Sequence, residues 1–215
     1  MLPSLALTMP LVRVAVPPAD PGWFFGLKLD GFRAVAFIEA GACRLLSRRH
    51  HVYRLFPRLC ESLARLDVRN AVLDGEVVCL DAQGRSQFAP LLFRRGDPVF
   101  AAFDILWLNG KDLRAKPLVQ RKRQLARVVP SCGDHLFRVD PMEGRGAEFF
   151  ALACQQDLEG VVGKWAAGVY TAGKTTSWVK VKNPDYSQEE GRGELFERRG
   201  GARLPHTRPP ELRLV

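Results

Sequence analysis

Apolar residues, many of them β-branched or aromatic, recur at alternate positions over Phe24–Lys28, Ala34–Glu39, Arg44–Ser47, Ala71–Leu80 and Val99–Leu108, which predicts a strand in each. Glu159–Lys164 and Trp178–Lys182 carry the same signature. Between them the spacing turns helical. Leu55, Leu59, Leu63 and Leu66 mark one face, Leu118, Leu125 and Val128 a second, and Phe149, Phe150, Ala153 and Cys154 a third. Strands and helices follow one another irregularly, so the predicted class is α+β with largely antiparallel sheets flanked by helices, and not a doubly wound sheet. The sequence has no internal repeat and no Gly-x-x-x-x-Gly-Lys phosphate loop.

A chain of 215 residues, 47% hydrophobic, supports one sizeable domain. After Asn183 the texture becomes polar and charged, with Pro205, Pro209 and Pro210 following. The expected organisation is a leader over 1–22 packing on or preceding the domain, a domain over 23–183, and a polar, partly disordered tail over 184–215. The apolar start lacks a basic leader and is broken by Pro3, Pro10 and Arg13, so no signal peptide is expected. No stretch approaches the ~20 apolar residues of a membrane span. Five scattered cysteines without a Cys-x-x-Cys pair, and four histidines without ligand spacing, argue against a disulfide framework or zinc site and for a reducing cytoplasm.

A formal charge of +9 points to a polyanionic partner. Most of the positive charge is arginine: only eight of the 32 basic residues are lysine. Four of those eight fall in three short segments, Lys28-Leu29-Asp30-Gly31-Phe32-Arg33, Glu159-Gly160-Val161-Val162-Gly163-Lys164 and Trp178-Val179-Lys180-Val181-Lys182. Lysine can lose its proton and attack, which guanidinium effectively cannot. An amine near further lysines and several carboxylates is what covalent capture of a nucleotide phosphate requires. Alternation about Val181 places Lys180 and Lys182 on one strand face with Trp178, where they would disfavour a nearby ammonium and neutralise a phosphate. On the residues alone, a surface lysine at 28 and a solvated basic strand edge at 180 and 182 stay open.

With Ser47-Arg48, Asp74-Gly75-Glu76-Val77-Val78, Phe103-Asp104-Ile105-Leu106 and Asn109-Gly110-Lys111-Asp112-Leu113-Arg114 in order between those segments, the chain resembles the adenylation (nucleotidyltransferase) domain of ATP-dependent DNA ligases. The bacterial end-joining kind is the most similar, and the resemblance runs from about Trp23 to Asn183. It implies that Lys28 attacks the α-phosphorus of ATP to form a lysyl-adenylate, with Lys180 and Lys182 at the phosphate. Asp30 and Arg33 would contact the ribose and later the nick, and Arg48 the ribose or phosphate. Phe103 would stack on adenine with Val162 on its other face and Lys164 also at the nucleotide. Glu159 would hold Mg²⁺ or Mn²⁺, and Glu76 the ribose or metal. The implied partners are nicked or broken duplex DNA and an end-binding protein or an OB-fold supplied in trans.

The sequence departs from the family pattern at Gly26, where an acidic residue usually faces the adenine amino group, and at Arg49-His50, where Asn-Gly usually follows Ser-Arg. The residues after Asn183 do not hold the OB-fold barrel that the family places there. RNA ligases and GTP-using capping enzymes share the lysine motif and are the alternative enzymes, and a non-catalytic DNA-binding remnant is the alternative of another class.

Overall fold

The computed structural model describes residues 2, 8–173 and 176–189. Among them, two sheets face one another. The larger runs in the order β4 (Ala42–Ser47), β3 (Phe32–Glu39), β5 (Asn70–Cys79), β6 (Pro98–Leu108) and β7 (Lys111–Asp112), with β8 (Leu136–Arg138) also paired to β6. The smaller is ordered β1 (Val12–Arg13), β11 (Trp178–Lys182), β10 (Gly160–Trp165), β2 (Trp23–Leu27) and β9 (Met142–Glu143). The pairs β1–β11 and β6–β8 are parallel and the remaining pairs antiparallel. The class is therefore α+β with largely antiparallel sheets.

Three apolar clusters explain why several strands read as nearly continuous apolar runs. Strand β3 is covered on both faces. Ala34, Ala36 and Ile38 pack towards helix α1 (Pro57–Ala64), while Val35 and Phe37 face the second sheet and meet Trp178, Met9 and Tyr170. The outer face of the smaller sheet, with Phe25, Val161 and Val181, is closed by helix α4 (Gly146–Gln155) through Ala153. Helix α3 (Leu118–Val128) is clamped to β6 by Arg121, whose Nε and Nη2 donate to Asp104 at 2.9 Å each with both side chains fully buried.

The start of the chain contributes to the domain. Val12 and Arg13 pair with Val179 and Lys180, and the Met9 amide donates to Tyr170 Oη at 3.0 Å. Beyond Asn183, the segment up to Glu189 packs back on the domain with Tyr186 only 4% exposed. Its Gln188 side chain donates to Ser86 O at 3.0 Å and accepts from the Phe88 amide at 3.2 Å. The rest of the expected tail, 190–215, lies outside the described residues. The short helix α2 (Phe88–Leu92) and strands β1, β7, β8 and β9 had no periodic signal, being too short for one.

Candidate active site

Strand β2 delivers Lys28. Its antiparallel pairing with β10 continues one residue past the strand end, where the Lys28 amide donates to Gly160 O at 2.9 Å. That register sets Lys28 beside Glu159, and the two form an ion pair in which Glu159 is 4% exposed. Glu159 Oε2 is buried without a hydrogen-bond partner. Gly160 has φ +136°, and a Cβ there would lie 2.1 Å from Val181 O, so only glycine lets β10 begin this close to β11. The turn after Lys28 lies flush on β5, since a Cβ on Gly31 would sit 2.2 Å from Val77 O. Asp30, 4% exposed, is anchored under it: its amide donates to Ser86 Oγ at 3.1 Å, and Tyr186 Oη donates to its Oδ2 at 3.2 Å. Burial first, then the charges of Glu159 and Asp157, push the Tyr186 hydroxyl up, which keeps it a donor.

Arg33 sits opposite Glu76 on β3 and β5. Its Nε and Nη2 donate to the two oxygens of fully buried Asp74 at 2.7 and 2.6 Å, and Tyr170 Oη donates to Asp74 Oδ2 at 2.9 Å. This bidentate pair fixes the guanidinium 4.6 Å from the centroid of the Phe103 ring. Burial raises the Glu76 carboxyl to about 7, although Arg33 and Lys28 pull it down.

A β-bulge lies at Phe103. On β5 and β6, Asp74 pairs with Asp104 and Gly75 with Ala102, so Phe103 is the extra residue between them. Phe103 faces the space between the sheets, edge-on to Trp178 at 6.1 Å, and the strict alternation breaks beyond it, so that Ile105 returns to the cluster of Ala102. Lys164 Nζ lies 4.0 Å from the Phe103 centroid and 3.7 Å from that of Trp178, buried and without a hydrogen-bond partner. Burial first and Lys122 second push its proton affinity well below the usual lysine range. Lys122, from α3, donates from Nζ to Val139 O at 2.5 Å, and burial lowers it to about 8.

Lys180, opposite Val162, continues this face outward. Burial, followed by the charges of Lys28, Lys182 and Arg48, lowers its proton affinity. Lys182 stands at the rim in an ion pair with Glu189. Arg48 is exposed beside the turn that ends β4. That turn is closed by His50 N–H to Ser47 O at 2.9 Å and His51 N–H to Ser47 Oγ at 3.0 Å, with His50 at φ 60°, so Arg49-His50 forms a tight left-handed turn without a glycine.

One cleft between the sheets is lined by Lys28, Arg33, Arg48, Glu76, Phe103, Val162, Lys164 and Lys180. Glu159 joins it through Lys28. Asp30 and Lys182 lie outside this lining, the first buried beneath Tyr186 and the second at the rim. Lys122, Trp178, Val139 and Asp140 also line the cleft. Lys122 and Tyr186 were not singled out from the sequence; Lys122's rarity as one of eight lysines was the available signal, while nothing local marked Tyr186. Glu159 and Glu76 offer oxygen donors near Lys28, and among the described residues no group of three or more His, Cys, Asp or Glu side chains is arranged to hold a metal. No helix among them is long and apolar enough to cross a membrane.

Comparison with known proteins places the chain in a family. Residues 3–182 match the model of the ATP dependent DNA ligase domain. The multifunctional non-homologous end joining protein LigD of Pseudomonas aeruginosa is 32% identical over 179 residues, covering 80% of this chain and 21% of that protein. The SPbeta prophage-derived DNA ligase-like protein LigB of Bacillus subtilis is 31% identical, covering 84% and 68%. The solved ligase domain of LigD from M. tuberculosis superposes with a TM-score of 0.70 at 30% identity, covering 81% of this chain and 59% of that one. A mycobacterial DNA ligase D complexed with ATP and MES gives a TM-score of 0.67 at 29% identity, covering 81% and 60%. The chain thus spans about a fifth of the length of the Pseudomonas LigD. On its sequence over residues 3–182 and on its fold, the chain belongs to the ATP dependent DNA ligase domain family.

Proposed function

We propose that the chain is the catalytic core of an ATP-dependent DNA ligase, which takes AMP onto Lys28 and passes it to a DNA 5′-phosphate for strand joining in repair or recombination. The observation that carries this reading is the Lys28–Glu159 ion pair at a cleft whose lining includes Arg33, Arg48 and Lys180. Nζ of Lys28 forms a bond to the α-phosphorus, the α–β phosphate bond breaks, pyrophosphate leaves and the amine gives up its proton. Lys180 and, from the rim, Lys182 neutralise charge that develops on the phosphate. The adenine ring lies between Phe103 and Val162, Lys164 serves the base end, and Arg33 and Arg48 hold ribose and phosphate. The AMP then moves to the 5′-phosphate, and the 3′-hydroxyl displaces it.

Asp30 enters this scheme as a positioning residue. Its buried carboxylate under Tyr186 holds the Lys28–Arg33 turn, in place of the direct ribose contact that the resemblance implies. The residues fit a divalent cation at the phosphate end, where the buried unpartnered Oε2 of Glu159, with Glu76, would hold Mg²⁺ or Mn²⁺. Such an ion would screen the triphosphate. Duplex DNA with a nick or break is the partner favoured by the +9 charge, with an end-binding protein or an OB-fold in trans as the protein partner and the cytoplasm as the location.

The test is covalent labelling with ATP carrying a labelled α-phosphate. Label should appear on the parent chain and vanish in Lys28→Arg, which keeps the charge and loses a practical nucleophile. Undiminished label in a folded Lys28→Arg protein would remove Lys28 from this role.

A further inference from the structure

The inner end of the cleft is rich in donors. Lys164 Nζ is buried there without a hydrogen-bond partner, against the Phe103 and Trp178 rings. Lys122 Nζ occupies the Val139 carbonyl at 2.5 Å, and Oδ1 of the partly exposed Asp140 carboxylate accepts from Arg138 Nε at 2.7 Å. Gly26, opposite Val162, adds no side chain. Its backbone does not demand glycine: its φ is not positive, and a Cβ would first meet Val139 Cγ1 at 3.4 Å. A Cβ would therefore fit at this wall without backbone strain.

A buried ammonium without a partner is costly, and aromatic faces offset only part of that cost. A flat ring entering between Phe103 and Val162 would satisfy it by presenting acceptors. Guanine carries acceptors at both N7 and O6, whereas adenine offers N7 beside an amino donor at the six-position. Hypoxanthine shares the oxygen at the six-position.

We propose that Lys122 is a specificity-determining residue, which with Lys164 makes the base end of the cleft a donor surface, so that the chain uses a 6-oxopurine nucleoside triphosphate as readily as ATP. The inference rests on the nucleotidyl-transfer reading of the cleft. The transfer itself is the same for either base: the Lys28 nitrogen bonds to the α-phosphorus, pyrophosphate departs and the amine proton is released. A site built to bond a substrate N–H rejects the analogue lacking it by about 10⁴–10⁵-fold, and Gly26 supplies no side chain to do so here.

The experiment compares inosine and adenosine triphosphates, which differ only along the edge that includes the six-position, in rates of covalent labelling of the full chain. Calorimetric binding of IMP and AMP runs alongside. The expected labelling rates lie within about tenfold of each other, and Lys122→Met, which keeps most of the side-chain stem, should move the ratio towards ATP by about tenfold or more. Gly26→Glu, adding an acceptor at the wall, should move it the same way. A parent preference for ATP beyond about 100-fold would overturn the inference, and so would a ratio unmoved in a Lys122→Met protein that melts as a folded domain. Matched binding of IMP and AMP without labelling by either triphosphate would uphold the donor surface and overturn the nucleotidyl-transfer reading. Binding of neither would overturn both.

Discussion

Tyr186, four residues past the end of β11, donates its hydroxyl to Asp30, two residues past the candidate nucleophile, at 3.2 Å. The bond ties the segment that leaves the second sheet to the turn that carries Lys28. Both side chains are buried, at 4% exposure each. Tyr186→Phe removes the donor and keeps the ring, so the chain should lose about 1–2 kcal/mol of stability in denaturant unfolding. Lys28 labelling should slow as the turn loosens. An unchanged unfolding midpoint would show that the bond contributes nothing to holding the turn.

The two lysines of β11 are not equivalent. Lys180 lines the cleft, whereas Lys182 is spent at the rim on Glu189. In single-turnover adenylation, Lys180→Ala should be slower than the parent by about 10²–10³-fold, as expected for loss of a preorganised charge. Lys182→Ala should cost about fivefold or less. Equal rate losses in the two variants would contradict this division of labour.

Glu76 gives the domain a pH signature. Burial raises its carboxyl from 4.5 to about 7, so the folded chain keeps a proton that the unfolded chain has already released. Stability is thus lost as pH rises through that window, by about 3 kcal/mol at most. Glu76→Gln should flatten the slope between those values and be the more stable protein at alkaline pH. A parent whose stability rises across the same window by the same amount as the variant would rule out a raised Glu76.

Gly160 is the tightest point of the site, with φ +136° and Val181 O at 2.1 Å from any added Cβ. Gly160→Ala should destabilise by about 2–4 kcal/mol, combining backbone strain with overpacking. Because the Lys28 amide hangs on Gly160 O, covalent labelling should fall further than the loss of folded protein explains. Thermal melts and labelling of the folded fraction measure the two effects separately.

The sequence by itself determined the main strands, the three helices and the set of charged residues gathered around Lys28, although Leu55 and Leu66, read with Leu59 and Leu63 as one helical face, lie outside α1 and Leu55 is exposed. Period-two and period-3.6 patterns are local properties, and the lysine segments were visible because lysine is rare in an arginine-rich chain. Strand β2 and strands β10 and β11 were legible, and their pairing brings Lys28, Val162 and Lys180 to one sheet face. What the alternation could not express is the bulge at Phe103, because an extra residue is defined only by the register of the partner strand. Nor could it foresee that Arg33 is held by Asp74, which also accepts from Tyr170, that Asp30 lies under Tyr186, or that Lys122 reaches the cleft from a helix. These relations join residues 17 to 156 positions apart, and burial, which decides whether a charge is paired or left to a ligand, exists only once those segments have packed together.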